Sequence, residues 1–219
     1  MDVVIFGCSP LASLAWYVLT HDSPHEVIGF TVNAPYCTEE RFHGLPLVPF
    51  EDLERVFPPE KAALLIPLGG RDMNGLRRDR YFEAKTRGYD FISYVSARAS
   101  VWPDLQLGEN CMIFDGAVVQ PFARIGNNCM IRSGACISHH AVVEDHCFAA
   151  VHAVVGGGVT IGERCFLGLN ATIRDGVQIA PRCFIAAGAV VTQDTGENGL
   201  YLGVPAKRSP TPASEIQCW

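Results

Sequence analysis

The sequence contains no run of 18 or more apolar residues, which is the length that a membrane-spanning helix needs. It has no basic segment longer than Arg77-Arg78, and its formal net charge is -6, so we expect neither a membrane nor a nucleic acid as a partner. None of the nine cysteines forms a Cys-x-x-Cys pair, and no secretory signal precedes the first apolar strand at Val3. These absences predict free thiols in a cytoplasmic protein.

What the sequence does have is an apolar residue at every sixth position over 101–191. Fifteen of these sixteen residues are Ile, Leu or Val. A period of six matches neither a helix face nor an alternating strand, and it is typical of a parallel β-helix built from hexapeptides. The sixteen positions are Val101, Leu107, Ile113, Val119, Ile125, Ile131, Ile137, Val143, Ala149, Val155, Ile161, Leu167, Ile173, Ile179, Ile185 and Val191.

Cysteine spacing supports a coil of three hexapeptides. If three hexapeptides make one turn, residues 18 apart lie above one another, and five cysteines have this spacing: Cys111, Cys129, Cys147, Cys165 and Cys183. We expect them at one inner corner, where a small apolar side chain fits. A ladder of disulfides or of metal ligands is the alternative interpretation, because stacked strands are about 4.8 Å apart.

The first hundred residues have a different pattern. Apolar segments at 3–7, 27–32, 64–69 and 92–95 predict strands, and 11–19, 50–56 and 72–86 predict helices between them. This alternation indicates a small parallel α/β sheet, the size of half a Rossmann fold, over 1–97. Ligands of such sheets bind beyond the carboxyl ends of the strands.

Three strand-end loops should therefore surround one crevice, with Gly7, Ser9, Asn33 and Gly69 as candidate ligand contacts. Ser9 followed by a proline suits the start of a helix, where backbone N–H groups can donate to a phosphate. A plain strand-to-helix turn is the alternative, because only the first glycine of a G-x-G-x-x-G loop is present. The titratable groups expected at the crevice are Arg71 and Asp72.

The candidate for acid–base chemistry in the repeat region is His139. It occupies the third hexapeptide position, which faces outward, and its neighbour 18 residues further on is Gly157. A general base beside a backbone N–H supplies two needs of acyl transfer. The structural alternatives are a solvated histidine at the corner and a glycine that relieves crowding there. We predict no metal site, because His140, His146 and His152 fall on three successive corners and point apart.

Several segments together resemble a known family. They are Ile137-Ser138-His139, the glycine-rich 156–162, 165–171, and Gly203-Val204-Pro205-Ala206-Lys207. With the preceding α/β domain, the chain resembles bacterial sugar acyltransferases of the sialic acid O-acetyltransferase type, which include N-acetyltransferases of nucleotide-linked amino sugars. The resemblance implies a left-handed β-helix over 98–209, followed by a C-terminal tail, 210–219.

The resemblance also implies a cofactor and an assembly. Acetyl-CoA would lie along the β-helix between two subunits of a homotrimer, with His139 as the base and the Gly157 N–H as a donor to the thioester oxygen. Leu169, Ala187 and Lys207 match coenzyme A contact positions. One departure stands out: a carboxylate commonly follows the catalytic histidine in this family, whereas His140 follows it here. Glu144, Asp145 or another subunit are the candidates for orienting His139.

The sequence thus predicts an acetyl-CoA-dependent N-acetyltransferase that acts on a nucleotide-linked deoxyamino sugar, with the sugar nucleotide held by the N-terminal domain. Its product would enter a surface polysaccharide such as the O-antigen of lipopolysaccharide. Two alternatives stay open. One is O-acetylation of a sugar hydroxyl, and the other is a non-catalytic β-helix scaffold trimer.

Overall fold

The computed structural model describes residues 1–216, and the N-terminal part is a five-stranded α/β sheet. Apolar segments of β-branched and aromatic residues form the central strands, which are buried from both sides. In chain order the elements are β1 (Asp2–Phe6), α1 (Pro10–Asp22), β2 (Glu26–Val32), β3 (Arg41–Phe42), β4 (Leu45–Pro49), α2 (Leu53–Val56), β5 (Ala63–Leu65) and α3 (Gly75–Thr86). The sheet order is β3-β4-β2-β1-β5, with only the β3–β4 pair antiparallel.

Two strand assignments differ from the sequence-based prediction. The strand expected at 92–95 as the fourth of this sheet contributes only Tyr94–Val95 as a strand, and these residues pair with Met112–Ile113 of the β-helix. The second difference is β4, a strand that the sequence analysis does not predict, which carries Pro46 and Pro49 and pairs with β2. Prolines argue against a strand from sequence alone, because they remove a donor from the ladder.

The β-helix consists of two-residue strands that recur every six residues. They are β6 (Tyr94–Val95), β7 (Gln106–Leu107), β8 (Met112–Ile113), β9 (Val118–Val119), β10 (Arg124–Ile125), β11 (Met130–Ile131), β12 (Cys136–Ile137), β13 (Val142–Val143), β14 (Phe148–Ala149), β15 (Val154–Val155), β16 (Thr160–Ile161), β17 (Phe166–Leu167), β18 (Thr172–Ile173), β19 (Gln178–Ile179), β20 (Phe184–Ile185) and β21 (Val190–Val191). Strands 18 residues apart pair in parallel, for example Ile125 with Val143. The predicted left-handed hexapeptide β-helix is confirmed.

The coil closes with β22 (Gly199–Leu202), which pairs with β20, and with β23 (Lys207–Pro212), which pairs antiparallel with β22. The segment predicted as a tail, 210–219, therefore begins inside a strand, and a short 3-10 turn follows at Ala213–Glu215. Residues 217–219 of that predicted tail lie outside the described residues.

Three faces of the prism differ in what they carry. The docked face consists of β6, β8, β11, β14, β17, β20, β22 and β23; the valine face of β9, β12, β15, β18 and β21; the polar face of β7, β10, β13, β16 and β19. Outward side chains of the docked face, such as Met112, Met130 and Phe148, are buried against the core of the α/β domain. On the valine face the outward residues include Val118, Val154 and Val190, and none of these three is fully buried.

Three edges join the faces, and each is a column of turns. Turns containing 121–122, 139–140, 157–158 and 175–176 form the histidine edge, between the valine and polar faces. Those at 115–116, 133–134, 151–152, 169–170 and 187–188 form the leucine edge, between the docked and valine faces. Those at 109–110, 127–128, 145–146, 163–164 and 181–182 form the docking edge. The fourth hexapeptide position in these turns takes positive φ, for example +58° at His140 and +66° at Gly158.

The inner corners hold the cysteines that the spacing placed there. Cys111, Cys129, Cys165 and Cys183 are fully buried and Cys147 is 2% exposed. All five are free thiols, so no disulfide ladder forms. Burial raises the pKa of Cys111, Cys147 and Cys165, because an apolar corner disfavours a thiolate.

Helix α3 joins the two parts through a buried arginine. Arg77 donates to the carbonyls of Asn128 (3.2 Å), His146 (3.1 Å) and Cys147 (3.1 Å) on the docking edge, and to Leu68 O (2.9 Å). Burial lowers the pKa of Arg77 to about 10, so the guanidinium remains charged at neutral pH. The N-terminal domain thus covers the docked face and the docking edge and leaves the histidine edge, on the far side of the prism, uncovered.

Candidate functional site

His139 and Gly157 lie together on the histidine edge, as their spacing predicts. A Cβ added at Gly157 would lie 2.6 Å from Cε1 and 2.8 Å from Nε2 of His139, so the imidazole packs directly over the glycine backbone. The side chain of His139 is exposed to solvent. An imidazole nitrogen is therefore open to a reacting group on this edge.

Contacts from two neighbouring residues hold His139. Its backbone N–H donates to Oε1 of Gln120 at 2.9 Å, and its Nδ1 lies 3.2 Å from Nδ1 of His140. The carboxylates that the sequence suggested as orienting groups are engaged elsewhere. Asp145 accepts from the Asn127 N–H on the docking edge, and Glu144 accepts from the Glu163 N–H.

The Gly157 N–H already has a partner. It donates to Oδ1 of Asp175, one coil further along the same edge, at 2.6 Å. The same arrangement recurs on the docking edge, where the side chain of Asp145 accepts from the Asn127 N–H at 2.7 Å. The expectation of a free N–H beside the imidazole is therefore corrected, because an acyl oxygen would have to share or replace the carboxylate. The signal for this contact in the sequence is Asp175, an aspartate 18 residues after Gly157.

Leu169 and Ala187 stack on the leucine edge, where the Gly188 N–H donates to Leu169 O at 2.8 Å. Leu169 is 53% exposed. Lys207 is exposed at the start of β23. These three residues do not adjoin His139 within one chain, since the valine face separates the leucine edge from the histidine edge and the strand of Lys207 belongs to the docked face.

A crevice of about 780 Å³ opens at the carboxyl ends of β1 and β2. Gly7, Ser9, Asn33 and Arg71 line it, as predicted. Gly69 is not among its lining residues, and the Gly69 carbonyl instead lies 3.5 Å from Nη1 of Arg77. The sequence placed Gly69 here because a longer strand was expected at 64–69, whereas β5 ends at Leu65.

Two details of this crevice differ from the predicted ones. The Gly7 N–H donates to Thr31 O at 2.6 Å, so it is not available to a phosphate. The crevice also contains Glu51, Asp79 and Arg80, besides the expected Arg71 and Asp72. Glu51 accepts from Nδ2 of Asn33 at 3.2 Å and from the Ala34 N–H at 2.9 Å. A carboxylate thus stands beside the end of β2 although residue 33 itself is not acidic.

The remaining histidines are dispersed as the repeat predicts. His140 lies on the histidine edge, His146 on the docking edge and His152 on the leucine edge. His146 is buried, with Nδ1 2.8 Å from Nδ2 of Asn128, and burial lowers its pKa. Within residues 1–216, no group of three or more His, Cys, Asp or Glu side chains is arranged to hold a metal ion. None of the helices described in this range is long and apolar enough to cross a bilayer.

Comparison with known families agrees with the repeat. The profile for the bacterial transferase hexapeptide (six repeats) matches residues 104–139, and the profile for the hexapeptide repeat of succinyl-transferase matches 153–193. No curated protein sequence matches the chain.

Solved structures match over almost the whole chain. A histidine-to-asparagine variant of perosamine N-acetyltransferase from Caulobacter crescentus, in complex with CoA and GDP-perosamine, is 25% identical, with a TM-score of 0.86 over 96% of this chain and 98% of that one. PerB from the same organism, with the same two ligands, is 26% identical (TM-score 0.86; 95% and 97% covered). The acetyltransferase domain of PglB from Neisseria gonorrhoeae shares the fold at 19% identity (TM-score 0.83; 95% and 99% covered).

Proposed function

Because this chain is an acyltransferase of the hexapeptide-repeat sugar acyltransferase type, we propose that it transfers an acetyl group from acetyl-CoA to the amino group of a nucleotide-linked deoxyamino sugar. The observation that carries the proposal is the His139 imidazole packed over the Gly157 backbone on an open edge. Structural neighbours that bind CoA together with GDP-perosamine support the choice of the two substrates.

In the proposed reaction the sugar amine attacks the thioester carbonyl carbon and forms a tetrahedral intermediate. Nε2 of His139 accepts the proton that the amine loses, and collapse of the intermediate breaks the carbon–sulfur bond. The products are the acetamido sugar and CoA, whose thiolate can take the proton back from His139. The Gly157 N–H would stabilise the oxyanion once that oxygen displaces the Asp175 carboxylate or shares the donor with it.

The distribution of the site over the fold supports a homotrimer. The crevice belongs to the domain that covers the docked face, whereas His139 lies on the opposite edge of the prism. An acceptor held in the crevice therefore fits the His139 of a neighbouring subunit better than that of its own. Likewise, the leucine edge of one subunit, with Leu169 and Ala187, would meet the histidine edge of the next and enclose CoA, with Lys207 near its phosphates.

The crevice is proposed to hold the nucleotide. Ser9 stands at the N-terminus of α1, where unpaired N–H groups favour a phosphate, and Arg71 and Arg80 add positive charge. The Glu51 carboxylate, fixed by Asn33 and Ala34, can accept hydrogen bonds from ribose hydroxyls or from a base. A cytoplasmic location and a role in O-antigen or lipopolysaccharide synthesis remain predictions.

The test is a panel of acceptors incubated with acetyl-CoA, followed by the release of free CoA thiol. The panel contains GDP-perosamine, nucleotide-linked amino sugars with other bases, perosamine without its nucleotide, and nucleotide sugars that carry only hydroxyls. We expect transfer to a nucleotide-linked amine, and loss of at least about 100-fold in kcat for His139→Ala. Faster transfer to a hydroxyl-only sugar would favour O-acetylation, and equal rates with and without the nucleotide would remove the crevice from acceptor binding.

A further inference from the structure

In the family that the chain resembles, a carboxylate commonly takes the position that His140 has here. His140 is exposed, with a φ of +58°, and this backbone turns its ring so that Nδ1 lies 3.2 Å from Nδ1 of His139. The other side of the His140 ring packs on Phe122, at 4.8 Å between ring centroids. Two Nδ1 atoms at this distance form a hydrogen bond only if one ring donates and the other accepts.

The direction of this hydrogen bond follows from the geometry at Gly157. A Cβ built on Gly157 would lie 2.8 Å from Nε2 and 3.3 Å from Nδ1 of His139, and Nδ1 is engaged by His140, so Nε2 is the ring nitrogen left open to an acyl group. To accept a proton there, Nε2 must be unprotonated, and the single proton of neutral His139 must then be on Nδ1. His139 therefore donates through Nδ1, and His140 accepts through its own unprotonated Nδ1.

We propose that His140 is the positioning residue of His139, a neutral imidazole acceptor in place of a carboxylate. The inference rests on the proposed function, in which His139 is the base. His140 selects the tautomer of His139 and continues to accept from Nδ1–H when His139 becomes an imidazolium.

An imidazole acceptor differs from a carboxylate in its response to acid. When His140 takes up a proton, both of its nitrogens carry hydrogen, and Nδ1 can no longer accept from His139. Activity is then lost by protonation of either ring. The charged groups near the pair are Asp104 and Arg124, which line the same hollow as His140, and Asp175, which accepts from the Gly157 N–H. These groups are the same in the wild type and in a His140 variant, so comparing the two isolates the His140 ring.

Two substitutions at His140 distinguish the loss of its hydrogen-bond acceptor from the loss of its ring. Glycine suits a φ of +58° and deletes the ring, whereas asparagine tolerates the same φ and offers a carbonyl oxygen that does not titrate. With acetyl-CoA and GDP-perosamine, we expect His140→Gly to lower kcat about 10-fold or more, and His140→Asn to stay within about threefold of wild type.

The pH profile provides the second readout. In the wild type a proton on either ring inactivates the pair, whereas in His140→Asn only a proton on His139 does. The value of kcat/KM should therefore begin to fall at a higher pH for the wild type than for the variant. The matched control is Arg182→Gly, which removes another exposed fourth-position side chain, with a φ of +57°, on the docking edge. It should leave the rate and the acid limb unchanged.

A third readout needs no sugar substrate. In ¹⁵N-histidine spectra, assigned with His139→Asn, the wild-type His139 should carry its proton on Nδ1, and in His140→Gly it should shift to the Nε2–H form. Failure of GDP-perosamine and the other acceptors to react would contradict the proposed function but leave this test intact. An Nε2–H tautomer in the wild type would overturn the inference, as would full activity of His140→Gly.

Discussion

Replacing Gly157 by alanine isolates the contact between the glycine backbone and the imidazole. The added Cβ would lie 2.6 Å from Cε1 of His139, whereas ordinary contact begins at 3.4 Å. The ring must therefore retreat by about 0.8 Å, because carbon atoms repel strongly at shorter distances. His139 is exposed and can move, so the backbone need not shift and the fold should remain stable.

A displacement of this size has a large effect on a proton acceptor. A misplacement of about 1 Å at a reacting group costs about 100-fold in rate. We therefore expect Gly157→Ala to lower kcat about 100-fold with acetyl-CoA and the fastest acceptor of the panel. The assay is continuous release of CoA thiol, with KM measured for both substrates and thermal unfolding measured in parallel.

The neighbouring glycine provides a matched control. Gly158 has a φ of +66°, and a Cβ there would meet nothing within 4 Å, so Gly158→Asn adds a larger side chain to the same turn without touching His139. It should retain activity within about threefold of wild type, since its backbone form suits asparagine. If Gly157→Ala remained as active as this control, the imidazole would not work from its observed position and the proposed base would be wrong.

Further predictions concern the assembly, the docking of the domains and the thiols. Sedimentation should give a particle of about three times the 23.8 kDa chain mass at micromolar concentration; a monomer would contradict a site shared between subunits. Arg77→Met should lower the free energy of unfolding by about 4 kcal/mol, because four backbone carbonyls lose their donor. Replacement of the more exposed neighbour, Arg78→Met, should change it by no more than about 0.5 kcal/mol, and equal effects in a denaturant titration would count against the buried network. In the native state a thiol reagent should modify at most four of the nine cysteines, since the five corner thiols are buried, and rapid reaction of all nine would show that the corners open.

The contact between His139 and Gly157 was predictable because the hexapeptide repeat is a local rule that holds from coil to coil. One turn of the coil is 18 residues, and a parallel ladder without insertions keeps that register from coil to coil. Spacing alone therefore places His139 over Gly157 and the five cysteines in one inner column.

Other features depended on contacts between segments that no period relates. Arg77 appeared in the sequence as part of a small basic pair, yet it is fully buried because carbonyls 51 to 70 residues away need its donors. Glu51 reaches Asn33 only because β4, despite its two prolines, pairs with β2 and directs the following turn toward the crevice.

The sequence by itself determined the β-helix, its inner columns and the identity of the His139–Gly157 pair, because these follow from a repeated hydrogen-bond register. Only the tertiary structure decided which face the α/β domain covers and hence that its crevice and His139 lie on opposite sides of one chain. It also decided that Asp175 accepts the hydrogen bond of the Gly157 N–H. These outcomes depend on side-chain hydrogen bonding and on burial between distant segments, and hydrophobic periodicity carries no information about either.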